Sequence, residues 1–242
     1  LGSRQFDAEV RAVRALFSDA GLTRLHLRKP GASPDHVAAY LAALDPEQRR
    51  RVVVHGAAVE GAPLALAVAP LAALGELGGV HYREADRAES ARRGHAFWHE
   101  GRRGDDDGTL LRSSGYHSLQ AAGLAEATAA AEEEQQQQHH QEEPWPSHAY
   151  LDYCFLSPVF DSISKSGYTS AGFLAAEKRQ GLERALKEAP LPVLALGGVG
   201  PGCLGELRAA GFAGAAVLGA VWGQEDVVGA YRRLAEEAEV GG

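Results

Sequence analysis

The chain has 242 residues, 45% of them hydrophobic and 23% charged, with a formal net charge of -8. That length buries an ample core, and the acidic balance excludes a chain built to grip phosphate backbones, which need clustered Lys and Arg. Its 2 Cys exclude a disulfide scaffold and point to a reducing compartment.

Val10, Val13, Leu16 and Phe17 recur at helical spacing between Asp7 and Ala20, and Gly21 can close that helix. Leu22 to Arg28 alternates like a strand. Pro34 to Leu44 reads as a helix with Ser33 as its N-cap. Arg51 to His55 is a β-branched strand, Leu64 to Leu74 a buried helix, and Gly79 to Tyr82 a short strand. The pattern then lapses, and about 87–109 reads as an exposed insertion. Leu110 to Tyr116 is a weak strand, followed by a helix from Leu119 to about Glu134. That helix runs into a Gln/His tract, Gln135 to Gln141, within a second insertion at about 131–148. Such low complexity cannot supply a packed core. Leu151 to Leu156 is a strand, and Ser157 to Gly167 a polar loop. The helix Phe173 to Ala189, the strand Leu191 to Leu196 and the helix Cys203 to Ala210 follow. The strand Gly214 to Leu218 and the helix Val227 to Ala238 end the series.

Strands therefore alternate with helices about seven times, which implies parallel β/α units in a single domain. A helix stands before the first of these strands, so the count fits a TIM (β/α)8 barrel lacking its first strand. The chain begins at Leu1 rather than Met, and the missing strand is expected just before it. The strands Leu22 to Arg28 and Gly214 to Leu218 would then face an open seam. An open doubly wound sheet is the alternative, but no GxGxxG follows a first strand. The longest uncharged stretch, Gly61 to Gly75, is too short for a spanning helix of about 20 residues. An intracellular soluble protein is expected. Its compartment, cytoplasm or an organelle such as the plastid, stays open because a targeting segment would precede Leu1.

In such barrels, groups at the C-terminal ends of strands carry function, and phosphate often binds after the last two strands. Gly197-Gly198-Val199-Gly200 and Gly219 occupy those places and let an anion approach backbone N–H groups. The other strand ends are polar. Arg28 and Lys29 suit a second, more charged anion. His55, His81 and His117 end further strands, and His26 can point into the barrel. Ser162, Ser164 and Lys165 lie in the loop after Ser157-Pro158. Small phosphorylated substrates are the expected partners, with neither nucleic acid nor membrane.

An ordered series of these segments resembles the thiamine phosphate synthase/TenI family. It comprises Leu25-His26-Leu27-Arg28-Lys29, Gly79-Val80-His81, Tyr116-His117-Ser118 and Asp152 to Phe160. It continues through Ser162 to Lys165 and Leu194 to Val199, and ends at Ala216 to Gly219. The resemblance implies a (β/α)8 barrel. It also implies a transferase of thiamine biosynthesis, joining an aminopyrimidine pyrophosphate to thiazole phosphate with release of pyrophosphate. Arg28, Lys29 and Lys165 would hold the pyrophosphate, and Ser162 and Ser164 would donate hydrogen bonds to it. Gly197, Gly198, Leu218 and Gly219 would cradle the thiazole phosphate, and His26, His55 and His117 would contact substrate. The family's Mg²⁺ would fall to Asp86, because the family's Asn-Asp pair is His55-Gly56 here. A TenI-like thiazole tautomerase is an alternative, although no His stands at Ser157-Pro158, where that proton transfer is made. A non-catalytic binder of thiazole or thiamine phosphate is the other.

Overall fold

The computed structural model describes residues 3–57, 62–83, 110–117, 151–161, 170 and 172–240. Helix α1 spans Ser3–Asp19 and buries Val10, Val13, Leu16 and Phe17, the stripe its spacing predicts. Strand β1 follows at Leu25–Leu27, then α2 at Pro34–Ala42 and the short α3 at Pro46–Arg49. The side chain of Ser33 caps α2 by accepting from His36 N–H, as the sequence predicts. Asp45 caps α3 in a reciprocal box with Gln48. Next come β2 (Val52–His55), α4 (Pro63–Ala73), β3 (Gly79–Tyr82), β4 (Leu111–Tyr116) and β5 (Tyr153–Leu156). The remainder is α5 (Ala176–Glu188), β6 (Val193–Leu196), α6 (Leu204–Ala210), β7 (Gly214–Ala216), α7 (Gly219–Trp222) and α8 (Val227–Val240). Both insertions and the helix expected from Leu119 lie outside the described residues.

The strands form one sheet in the order β1 to β7, and every neighbouring pair is parallel. This is a TIM-like α/β sheet one strand short of eight among the described residues. No ladder joins β1 to β7 there. The helix layer nonetheless closes across that gap, because α1 packs on α8 and the Arg232 guanidinium donates to Asp19 O at 2.9 and 3.1 Å. No described helix is long and apolar enough to cross a membrane.

The pleat sorts the strands into two faces. Leu27, Val52, Val54, Val80, Tyr82, Tyr116, Cys154, Leu156, Val193 and Ala195 belong to the core between sheet and helices. Alternation then turns His26, Val53, His55, His81, Ser113, Tyr153 and Phe155 toward the opposite, inner face. The outer layer is held by apolar burial, whereas the inner one is largely polar.

Asp45 gives a local test of this framework. Its carboxylate accepts from Gln48 N–H at 2.8 Å, and the Gln48 side chain accepts from Asp45 N–H at 3.3 Å. Asp45→Ala is expected to cost about 1 kcal/mol. Urea denaturation checks this; an unchanged midpoint would show that the box contributes nothing.

Candidate functional site

Register brings three histidines together. His55 pairs with His81 across β2 and β3, and His81 pairs with Ser113 across β3 and β4. Ser113 in turn pairs with Tyr153. These four residues form one row on the inner face, and His26 leans into it from β1. His26 Nδ1 lies 3.1 Å from His55 Nε2. The His55 and His81 rings stack at 3.9 Å, only 18° from parallel. Tyr153 Oη meets His26 Nε2 at 2.7 Å, and Ser113 Oγ meets His81 Nδ1 at 2.9 Å. Phe155 closes one side, edge-on to His26 at 4.9 Å between ring centres.

Burial sets the charge state. It pushes His26 down to about 3, assisted by the charge of His55 and then of Arg24. It pushes His55 down to about 4, assisted by the nearby Arg28 guanidinium. Both rings are therefore neutral at neutral pH, each a donor at one nitrogen and an acceptor at the other. Burial likewise raises the Tyr153 phenol, so it stays a neutral hydroxyl. His26, His55 and Tyr153 thus form a hydrogen-bonded polar cluster without net charge.

The other expected site residues divide. Arg28 is exposed just beyond β1, close enough to His55 to lower its pKa. Lys29 turns the other way. Its ammonium pairs with the Glu9 carboxylate on α1 and lies 5.3 Å from the centre of the Tyr40 ring. Tyr40 Oη donates to the same carboxylate at 3.2 Å. His117 is exposed, with Nδ1 2.8 Å from Ser157 O. Asp86, Ser162, Ser164 and Lys165 lie outside the described residues.

At the glycine-rich end, the loops after β5 and β6 are joined. Val159 N–H donates to Leu196 O and Phe160 N–H to Gly197 O, both at 3.0 Å. Gly197 and Gly198 have φ of +91° and +67°. A Cβ on Gly198 would stand 2.2 Å from Asp161 O, so only glycine fits there. The helix behind this loop is already capped. Glu237 on α8 accepts from Gly202 N–H at 2.9 Å and from Leu204 N–H at 3.1 Å. A protein carboxylate thus already meets the positive end of that helix. The Gly197-Gly198 turn and the start of α7 at Leu218 and Gly219 remain as phosphate candidates, with Leu218 exposed.

Mg²⁺ takes hard oxygen ligands in an octahedron. The groups that converge among the described residues are imidazoles, and Gly56, which follows His55, offers no side-chain oxygen. This donor set does not fit Mg²⁺.

Sequence reasoning placed His26 and His55 at the site and noted His81 only as one more strand end. It gave Tyr153 no site role. A usable signal was present: once the Val and Leu neighbours face the helices, His26, His55, His81, Ser113 and Tyr153 share the other face.

No protein-family model matches the chain, and no curated protein does. Solved structures do. The chain superposes on a thiamine phosphate pyrophosphorylase from Pyrococcus furiosus with a TM-score of 0.62 and 20% identity, over 99% of this chain and 93% of that one. A thiamine phosphate pyrophosphorylase from Bacteroides thetaiotaomicron gives 0.56 and 24%, over 97% and 92%. A chain of the Amycolatopsis orientalis BexX/CysO complex gives 0.55 and 15%, over 96% and 84%. The chain therefore shares the fold of the thiamine phosphate pyrophosphorylases across nearly its whole length. The third match shows that this fold is not confined to proteins of that name.

Proposed function

We propose that the chain belongs to the thiamine phosphate synthase/TenI family and acts as a thiamine phosphate synthase-like transferase. The observation that carries this reading is the full-length fold match to two thiamine phosphate pyrophosphorylases, joined to the ordered strand-end motifs. In the proposed reaction the C–O bond to pyrophosphate breaks first. The thiazole nitrogen then captures the pyrimidine cation, forming the C–N bond. Such a step needs stabilisation of the departing charge and close positioning of the partner more than proton transfer.

Arg28 supplies a cation at the exposed end of β1, and Lys165, Ser162 and Ser164 would complete the pyrophosphate contacts. Lys29 would join them only by leaving Glu9. The Gly197-Gly198 turn and the Leu218-Gly219 backbone would hold the thiazole phosphate. The neutral rings of His26 and His55 suit an uncharged heterocycle, because they offer both donors and acceptors at no cost in ion desolvation.

A second reading is a non-catalytic binder of thiazole or thiamine phosphate. It is favoured by Gly56 in place of a carboxylate and by the Lys29 to Glu9 ion pair. One experiment separates the two. The protein is incubated with aminopyrimidine pyrophosphate, thiazole phosphate and Mg²⁺, and thiamine phosphate is measured by chromatography. Product that depends on protein and is lost in Arg28→Ala supports the transferase. Calorimetric binding of thiazole phosphate without product supports the binder. Neither binding nor product overturns both readings.

A further inference from the structure

Three imidazoles, on His26, His55 and His81, face one another on the inner face of the sheet. We propose that His26, His55 and His81 form a binding site for a first-row transition metal ion of the Zn²⁺ class. The ligands are His26 Nδ1, His55 Nε2 and His81 Nε2, and a fourth position is left for water or a phosphate oxygen. Three protein nitrogens with one open position is the arrangement of an exchange-competent zinc centre.

The distances support it. One ligand atom from each histidine lies within 4.8 Å of the other two. Two imidazole nitrogens on a tetrahedral zinc stand about 3.4 Å apart, given Zn–N bonds of about 2.0–2.1 Å. His26 Nδ1 and His55 Nε2 are already 3.1 Å apart. Loading the site needs the stacked His55 and His81 rings to tilt toward a common point.

The outer contacts are those of a metal site. A ligating histidine characteristically gives its other ring N–H to a fixed acceptor, which sets the tautomer and orients the ring. His81 Nδ1 has Ser113 Oγ at 2.9 Å, and His26 Nε2 has Tyr153 Oη at 2.7 Å. In the loaded form each of these nitrogens is the donor, and the opposite nitrogen carries the lone pair. The three ligands come from adjacent parallel strands rather than from loops, so their backbone positions are fixed by the ladder. Imidazole selects zinc, copper, nickel or iron over Mg²⁺. The site does not rest on the transferase reading and stands with or without it.

The test uses the full chain, stripped with a chelator and titrated with Co²⁺, then Zn²⁺. One equivalent of Co²⁺ is expected to bind with the strong visible absorption of a four-coordinate ion, and Zn²⁺ to displace it. Millimolar Mg²⁺ is expected to do neither. His55→Phe and His81→Gln are each expected to weaken binding roughly 100-fold or more. Ser113→Ala and Tyr153→Phe are expected to weaken it about 10- to 100-fold. His36→Ala, on α2, and the paired variant H139A/H140A are expected to leave it unchanged. If the inner-face variants do not fold, zinc-edge X-ray absorption on the H139A/H140A protein counts the ligands, with three imidazoles expected. The proposal is overturned by no stoichiometric binding, by the weak spectrum of octahedral Co²⁺, or by fewer than three imidazoles. It is equally overturned if binding survives in folded His55→Phe and His81→Gln, or disappears in H139A/H140A.

Discussion

At pH 5 the metal-free protein is expected to be about 4 kcal/mol less stable than at pH 7.5, through His26 and His55 alone. The folded pKa values lie near 3 and 4, below the unfolded value of 6.5. The folded form thus binds fewer protons than the unfolded chain between those limits. The contribution of each ring is complete above pH 6.5 and is lost as pH falls toward the folded pKa. At pH 5 the loss depends mainly on the unfolded value. A fall of about 1.5 units below it costs about 2 kcal/mol for each ring. For a chain of this size the total lowers Tm by roughly 8–16 °C. Thermal unfolding at the two pH values measures it. In His26→Gln, which can keep a hydrogen bond to Tyr153, the loss should shrink to about 2 kcal/mol. Equal Tm at both pH values would show that these rings are not held neutral by burial.

Gly198→Ala is expected to be the most damaging single-methyl change at the glycine-rich end, costing about 3 kcal/mol. Two penalties combine. A side chain at φ +67° is strained wherever it stands, and here the new Cβ meets Asp161 O at 2.2 Å and Phe160 C at 2.7 Å. Both are backbone atoms, and Phe160 N–H is tied to Gly197 O, so neither can step aside cheaply. Gly202→Ala is the matched control. Its φ is +83°, but its Cβ would meet nothing within 4 Å. That change should cost only the left-handed backbone penalty of about 1–2 kcal/mol. Urea denaturation of both variants isolates the steric part. Equal losses would mean that the loops after β5 and β6 move apart readily. Since this turn is also a proposed phosphate cradle, Gly198→Ala should weaken thiazole phosphate binding while Gly202→Ala spares it.

The alternation of strands and helices, and so the parallel sheet, is legible in the order of residues alone. Val52, Val54 and Val80 have no apolar place except beneath helices, and Ser33 starts α2 by local hydrogen bonding. These features depend on residues near one another in the chain. The resemblance to known strand-end motifs likewise pointed to the fold that the superpositions show. Which polar groups meet depends instead on packing between distant segments. His26, His55 and His81 converge because parallel register places β1, β2 and β3 side by side, and register is a long-range property. Lys29 looked equivalent to Arg28 in sequence, yet α1 brings Glu9 against it and commits its charge. The α6 terminus follows the glycine-rich turn, and Glu237 arrives from the far end of the chain and caps it. In each case the partner lies on a distant segment, so packing alone set the charge and contacts of the group.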